Sequence, residues 1–256
     1  MMYTYTVGYD DEEVYVKKGH VIGGNAIGIL IASGDWLPLV PGNVGNATTF
    51  SFPVYYKYVE GDVNQSVTAE PDPIFLQKFI KAAKELETEG CRAITSCCGY
   101  FANYLPEITA AVNIPAFLSS LMQIPIISRA IKPSQKVGII CASGRILSSA
   151  PVLKNCGVDD LSRVVITGAE GLPQMQNVLR NTGHLNNAKF AEELAGLAKQ
   201  TVNENPDIGA ILIECTEMAP YACAIQKAVR LPIFDFTTMV NWVYNAVVRR
   251  PFAGYV

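Results

Sequence analysis

Short apolar runs alternate along the chain with longer stretches in which apolar residues recur every three or four positions. The short runs have the length of strands, and the longer stretches have the period of helices that bury one face. The predicted strands are Ala26–Ala32, Val54–Val59, Arg92–Ser96, Ala116–Leu118, Lys136–Cys141, Arg163–Thr167, Ala210–Glu214 and Ile233–Phe234. The predicted helices are Pro73–Glu89, Phe101–Val112, Ser120–Ile131, Ile146–Asn155, Asn186–Asn203, Met218–Val229 and Thr238–Val248. Strands spaced by helices of this length form βαβ units, so the sequence predicts an α/β fold with mostly parallel sheets.

The chain also contains an internal repeat. A shift of 117 positions lays Arg92–Phe117 on Gly209–Phe234 without a gap, and ten positions are identical, one of them a cysteine. A shift of 110 lays Ile27–Gly34 on Val137–Gly144, and both of these segments end in Ala-Ser-Gly. Because the two matches occur in the same order, the sequence predicts two pseudo-symmetric lobes. We expect an active site in the cleft between them.

Three parts of the chain are expected from this pattern. Residues 1–25 alternate like short strands around an acidic turn and predict an N-terminal arm or hairpin. Lobe one is predicted to comprise residues 26–124, completed by the strand and helix in residues 232–256. Lobe two is predicted to comprise residues 125–231.

Composition and charge exclude several classes of protein. Half of the 256 residues are hydrophobic and only 17% are charged, which excludes a mainly disordered chain. The net charge of −3, with scattered lysines and arginines, predicts no nucleic-acid partner. The apolar runs are far too short to predict a membrane span, and the N-terminus lacks the order of a secretory signal. Seven cysteines at irregular spacing are typical of free thiols, so we expect a cytoplasmic protein.

Two of the cysteines are candidates for catalysis. Cys98 and Cys215 occupy equivalent positions of the repeat, each after a buried strand and before a helix. Ligands of parallel sheets bind at this end of the strands. A helix N-terminus lowers the pKa of a thiol and binds anions, so we expect reactive thiols and a site for a small carboxylate. If the lobes pack about a pseudo-twofold axis, one thiol can remove a proton and the other can deliver one from the opposite side.

The sequence supports competing chemistries poorly. Cys91, Cys141, Cys156 and Cys223 are interpreted as small buried hydrophobes, and Cys97 as structural. The only histidines are His20 and His184, and His184 lies in a Gly-Asn-rich segment typical of a solvated loop, which disfavours a Cys-His centre. No metal site is predicted, because neither Cys-x-x-Cys nor His-Glu-x-x-His occurs. The Pro41–Asn46 segment is either a turn-rich surface loop or an active-site flap.

The two cysteine motifs, Ser96–Tyr100 and Glu214–Glu217, resemble those of the aspartate/glutamate racemase superfamily. Within it, the chain is most similar to the branch of the algal dimethylsulfoniopropionate lyases and their bacterial relatives. This closer resemblance is carried by Ile27–Leu30, Pro41–Asn46, Ser119–Pro125 and Glu214–Tyr221. It implies two α/β lobes, a cleft with a cysteine pair as acid and base, no cofactor, and a homo-oligomer.

The resemblance also implies which residues bind the substrate. Gly99, Tyr100 and Thr216 would contribute amide or hydroxyl groups, and Ser143 is a further candidate for binding the carboxylate. Helix capping is an equally good interpretation of Ser143 and Thr216, and Tyr100 fits a core or cleft wall better than a catalytic acid.

Two positions depart from the pattern of this branch. Ser33 and the neighbouring Asp35 stand where the branch has an acidic residue soon after the first strand, and Asn43 stands where it has an aspartate. Both Ser33 and Asn43 are candidates for substrate binding. The departure leaves the substrate open and leaves the cysteine pair intact.

We expect racemisation or epimerisation of a small amino acid or related carboxylic acid. A lyase on the same frame is the alternative: one thiolate takes the proton beside the carboxylate, and a β-substituent such as dimethyl sulfide leaves, giving acrylate. A two-lobed binding or sensor protein without catalysis is a third possibility, which the duplicated thiols disfavour.

Overall fold

A computed structural model of the chain describes residues 13–15, 18, 21–34, 36–61, 72–149 and 151–256. Most of the predicted N-terminal arm and Asp35 lie outside the described residues. The prediction of a hairpin there stays a prediction.

Two parallel four-stranded sheets form the framework. The first contains β1 (Ile27–Ala32), β2 (Val54–Val59), β3 (Ala93–Ser96) and β4 (Ala116–Phe117) in the order β2-β1-β3-β4. The second contains β5 (Lys136–Cys141), β6 (Val164–Gly168), β7 (Ile208–Ile213) and β8 (Ile233–Phe234) in the order β6-β5-β7-β8. Every strand pair is parallel. The equivalent order in both sheets confirms the predicted fold class and accounts for the repeat.

Helices flank both sheets. They are α1 (Pro73–Thr88), α2 (Leu105–Ala111), α3 (Ile124–Ala130), α4 (Gly144–Ser149), α5 (Val152–Asn155), α6 (Pro173–Leu179), α7 (Asn187–Glu204), α8 (Ala222–Val229) and α9 (Phe236–Val247). Short 3₁₀ turns cover Gly99–Tyr104, Ser120–Gln123, Leu161–Arg163 and Ala219–Tyr221. One of these turns begins directly after Cys98, and another begins four residues after Cys215.

The long helices form where the sequence combines a cap with an apolar stripe. The Asp72 side chain accepts a hydrogen bond from the Ile74 N–H, and Pro73 occupies the first turn of α1, where its missing N–H costs nothing. Buried residues then recur with helical spacing: Phe75, Phe79, Ala82, Ala83 and Leu86. A capping box between Asp235 and Thr238 begins α9 in the same way.

Two helical segments differ from the prediction. The predicted helix Ile146–Asn155 is two helices, α4 and α5, because Pro151 cannot donate to the helical ladder. Helix α6 was not predicted, since only Gln174 and Met175 of this segment are buried and no apolar stripe marks it.

The position of the last strand corrects the expected lobe boundary. Ile233–Phe234 was assigned to lobe one, but β8 pairs with β7 in the second sheet. As the repeat copy of β4, it takes the equivalent place beside the cysteine-bearing strand. Helix α9 then returns to the first sheet, where Phe236 and Met239 pack with Ile27 and Ile29. The other predicted lobe boundaries stay predictions.

Across the described residues, none of the helices combines the length and the apolar character that crossing a membrane requires. The same residues contain no group of three or more His, Cys, Asp or Glu side chains that could hold a metal ion.

Candidate active site

The two candidate thiols lie at the carboxyl ends of equivalent strands. Cys98 follows β3 in an extended conformation and precedes the 3₁₀ turn Gly99–Tyr104. Cys215 follows β7 and is buried, while Cys98 is partly exposed. The Thr216 hydroxyl, next to Cys215 in the chain, donates to the carbonyl oxygen of Cys97, next to Cys98, and Cys215 belongs to the hydrophobic cluster against which Cys98 packs. The structure therefore brings the two candidates together.

Both thiols have a pKa well above the ordinary value, so the expected lowering by a helix N-terminus is wrong. Burial is the largest cause in each case. At Cys98 the next causes, from larger to smaller, are the charges of Glu214, Cys97 and Glu217. At Cys215 the charge of Glu217 has a larger effect than that of Glu214. A short 3₁₀ turn has only a weak dipole, and its one backbone hydrogen bond to Cys98 does not offset burial. Both groups rest as neutral thiols.

Cys215 has a proton acceptor within hydrogen-bond distance. Its Sγ donates to Oε2 of Glu217 over 2.9 Å. The carboxylate disfavours a resting thiolate, since two negative charges would lie side by side. It is nevertheless placed to accept the thiol proton.

The carboxylate of Glu217 is held in place by two further donors. The one proton of the Thr216 hydroxyl is shared between the carbonyl oxygen of Cys97, at 2.6 Å, and Oε1, at 3.1 Å. The Asn43 side-chain amide lies 3.5 Å from the same Oε1. These contacts tie Glu217 to elements of the first sheet. For Thr216 they replace the expected helix capping.

The Pro41–Asn46 segment packs against the second half of the molecule. Asn43 and Val44 are buried, so the alternative of a surface loop is wrong for its centre. Gly42 has a left-handed φ of +101°, and a Cβ there would lie 2.8 Å from the Cα of Pro220. Only glycine allows this close approach. The segment thus covers the loop that carries Glu217.

Tyr100 and Ser143 bind each other across the two halves. The Tyr100 hydroxyl donates to the Ser143 carbonyl over 3.0 Å and accepts from the Ser143 N–H over 3.3 Å. The Ser143 hydroxyl accepts from the Ile146 N–H over 3.5 Å, as a helix cap does. The Ser143 hydroxyl therefore lies in the capping position of α4, and its role in carboxylate binding stays a prediction. Tyr100 is a buried wall residue.

Comparison with known proteins identifies the family. The profile of the Asp/Glu/Hydantoin racemase family matches residues 53–242, about three quarters of the chain. The chain belongs to the Asp/Glu/hydantoin racemase family.

The family member is similar in sequence to algal enzymes. It is 32% identical to dimethylsulfoniopropionate lyase 7 of Emiliania huxleyi strain CCMP1516, over 90% of this chain and 69% of that protein. It is 31% identical to the dimethylsulfoniopropionate lyase of Durusdinium sp. clade D, over 90% of this chain and 77% of that protein. It spans only 61% of two other lyases from E. huxleyi. These relatives and the family show that the chain is an enzyme, either an isomerase or a lyase.

The fold agrees with this assignment. An aspartate racemase homologue from Pyrococcus horikoshii OT3 superimposes with a TM-score of 0.55 at 18% identity. The match covers 87% of this chain and 99% of the homologue. This likeness confirms the two-lobed α/β fold expected from the resemblance.

Gly99 and Ser33, two candidates for substrate binding, lie in different surroundings in this racemase-family chain. Gly99 is buried between the halves, where a Cβ would lie 2.2 Å from Oε1 of Glu214. No larger residue fits there without displacing that carboxyl group. Ser33 is exposed, and its recorded hydrogen bond runs from its N–H to the carbonyl of Val59. The structure therefore brings Gly99 into the thiol site and records no contact between Ser33 and the thiols.

Of the four cysteines interpreted as small buried hydrophobes, three agree with the prediction. Cys91, Cys141 and Cys156 are buried free thiols. Cys223 is exposed, so its interpretation as a buried hydrophobe is wrong: on α8 it is Ile225 that is buried. His184 is exposed in its loop, as expected.

Sequence reasoning missed two carboxyl groups of the site. The sequence places Glu217 in a cysteine motif, and Glu214 at the end of a strand and the start of that motif, without indicating a role for either carboxyl group. A signal was available for Glu214, because a charged residue that ends a fully apolar strand is seldom buried without a role. Burial, with a smaller contribution from Glu217, raises the pKa of Glu214 to about 8.

Proposed function

We propose that this enzyme removes the proton from the carbon next to a carboxylate, with Cys215 as the base and Cys98 as the second proton-carrying group. The hydrogen bond from Cys215 Sγ to Glu217 Oε2 carries the proposal. Glu217 is the proton acceptor that a neutral buried thiol needs before it can act as a base.

The proton-transfer step uses only groups of the protein and the substrate. The Sγ proton of Cys215 passes to Glu217, and the thiolate takes the proton from the substrate carbon. The electron pair of the broken C–H bond moves onto the carbon and its carboxylate. Backbone amides near Gly99 would stabilise that charge.

Of the two outcomes, we favour elimination of a cationic β-substituent. The electron pair forms a double bond to the β-carbon, the bond to the substituent breaks, and a neutral group such as dimethyl sulfide leaves. Two observations support this outcome. The similar algal proteins are dimethylsulfoniopropionate lyases, and the Glu217 carboxylate beside Cys215 favours a substrate that carries a positive charge.

Racemisation or epimerisation is the second candidate outcome. There Cys98 would deliver its proton to the opposite face of the same carbon. The equivalent positions of the two thiols after β3 and β7 support this outcome. The family match also supports it.

One experiment tests the chemistry and separates the outcomes. Wild-type protein, Cys98→Ser and Cys215→Ser are incubated in D₂O with dimethylsulfoniopropionate and, separately, with small amino acids. Elimination predicts release of an alkene acid, and racemisation predicts deuterium in the recovered substrate. Because serine is a far weaker base, we expect Cys215→Ser to lose about 10³-fold in turnover while ligand binding remains.

Exposed Cys223 supplies the matched control, since Cys223→Ser should keep full activity. Full activity in both Cys98→Ser and Cys215→Ser would contradict the mechanism. A ligand bound unchanged by all the variants, with no exchange in wild type, would instead favour a binding protein.

A further inference from the structure

Glu214 is a buried carboxyl group that the proposed reaction does not use. Its side chain has no solvent exposure. Oε2 accepts a hydrogen bond from the Ala142 N–H over 3.2 Å, but Oε1 has no recorded partner among the described residues. An ionised carboxylate with one oxygen unpaired would be costly in such a place. The group is therefore expected to be protonated, and the proton belongs on the oxygen that accepts no bond.

The unpaired oxygen points toward the residue that follows Cys98. A Cβ on Gly99 would lie 2.2 Å from Oε1, so this atom lies directly against the Gly99 backbone. Glu214 is also the largest electrostatic cause of the raised pKa of Cys98. A donor O–H on this oxygen thus lies against the Gly99 backbone, next to Cys98 in the chain.

We propose that Glu214 is a specificity-determining residue. Its protonated carboxyl group donates a hydrogen bond from Oε1 to the substrate carboxylate, which binds beside Gly99. This inference rests on the proposed function, because it assigns the negative end of the substrate to Cys98. The positive end then lies toward Glu217, beside Cys215. The site would select small zwitterions that carry one carboxylate and one cationic group.

The inference has a definite pH dependence. Below pH 8 Glu214 is neutral and can donate, and above it the group ionises, since its pKa is raised to about 8. The ionised group repels a carboxylate ligand. The titratable groups that interact with Glu214 are Cys98, Tyr100, Cys141, Cys156, Cys215 and Glu217. Burial raises the pKa of every thiol in that set and of Tyr100, so none of them accounts for a transition near pH 8.

The test is the binding of propionate, a carboxylate without a leaving group, measured by calorimetry from pH 6.5 to 9.5. In wild type we expect the Kd to rise about tenfold through a transition near pH 8. Glu214→Gln keeps an acceptor for the Ala142 N–H and a donor on the other side, and its Kd should stay constant. Glu193→Gln is the control, because Glu193 also accepts a backbone N–H, from Gln174.

A transition that persists in Glu214→Gln, or a constant Kd in wild type, would overturn the inference. If Glu214→Gln does not fold, infrared spectra of wild type decide: a protonated-carboxyl band must be present at pH 7, disappear near pH 8 and shift when propionate is added. The absence of that band also defeats the inference. Propionate binding needs no turnover, so active Cys98→Ser and Cys215→Ser variants would defeat only the proposed function.

Discussion

The segments Cys97–Tyr100 and Glu214–Glu217 occupy equivalent positions in the two halves and share only their central thiol. The repeat pairs Cys97 with Glu214, Cys98 with Cys215, Gly99 with Thr216, and Tyr100 with Glu217. Both carboxyl groups of the site therefore come from the second half. The first half contributes a tyrosine that bonds to Ser143 and a glycine that leaves room for Glu214.

This difference separates what the repeat preserves from what it varies. The shared backbone places a thiol at the end of each cysteine-bearing strand. The residues around each thiol then assign its role, because Cys215 has a hydrogen-bonded acceptor and Cys98 lies beside a buried acid. We conclude that the two thiols are alike in position and unlike in chemistry. The following variants test that asymmetry.

Glu217→Gln should have the largest effect. It removes the acceptor for the Cys215 proton, so we expect kcat to fall about 10²- to 10³-fold. The same change removes a negative charge that raises the pKa of Cys215, so alkylation of this thiol by iodoacetamide should become faster. Activity assays and mass spectrometry of the Cys215 peptide measure the two effects.

A fall in turnover together with faster alkylation distinguishes loss of the proton acceptor of Cys215 from general damage to the site. The exposed Glu107→Gln variant is the control and should change neither quantity. Undiminished turnover in Glu217→Gln would contradict the role of this carboxylate.

Glu214→Gln should change how stability depends on pH. The folded chain keeps the Glu214 proton up to about pH 8, whereas the unfolded chain loses it near the ordinary value of 4.5. Wild type therefore loses stability as the pH rises through this window and loses no more above it. Each pKa unit is equivalent to about 1.4 kcal/mol, so the variant should gain about 4 kcal/mol on wild type between pH 5 and pH 8.

Urea unfolding at a series of pH values measures this difference, and Glu193→Gln again serves as the control. If the free energy of unfolding depends on pH in the same way in wild type and in Glu214→Gln, the carboxyl group is not held protonated in the folded chain.

Gly99→Ala should have the smallest of the three effects. The new Cβ would displace the Glu214 carboxyl group and its bond to the Ala142 N–H, which should cost about 1–3 kcal/mol of stability. Thermal unfolding measures this cost. Gly196→Ala lies in α7 with no atom within 4 Å of its Cβ, and should be neutral or up to about 1 kcal/mol more stable. An unchanged Tm in Gly99→Ala would contradict the close contact between Gly99 and Glu214.

The sequence predicted the features that depend on local pattern. Alternating apolar runs predicted the strands and most helices, because periodicity reports which face of an element is buried. The repeat predicted that Cys98 and Cys215 share one position in the fold, since equivalent segments fold alike. The family resemblance, carried by the cysteine motifs, is confirmed by the comparisons.

The features that the sequence did not predict depend on contacts between distant segments. Nothing local indicates that Tyr100 and Ser143 use their hydrogen-bonding groups on each other. The raised pKa of both thiols comes from burial and from carboxyl groups brought there by folding, which outweigh the local 3₁₀ turn. The pairing of β8 with β7 likewise depends on strand order, which periodicity does not report.

The bonds that cross between the halves have a consequence for folding cooperativity. Tyr100 donates a hydrogen bond to the Ser143 carbonyl, and the Thr216 hydroxyl donates one to the carbonyl of Cys97. Polar groups of each half therefore have hydrogen-bond partners in the other half. Helix α9 adds a covalent return from the second sheet to the first. We therefore expect the two halves to unfold as one cooperative unit, with amide hydrogen exchange at the ends of β3 and β7 occurring through one shared opening event.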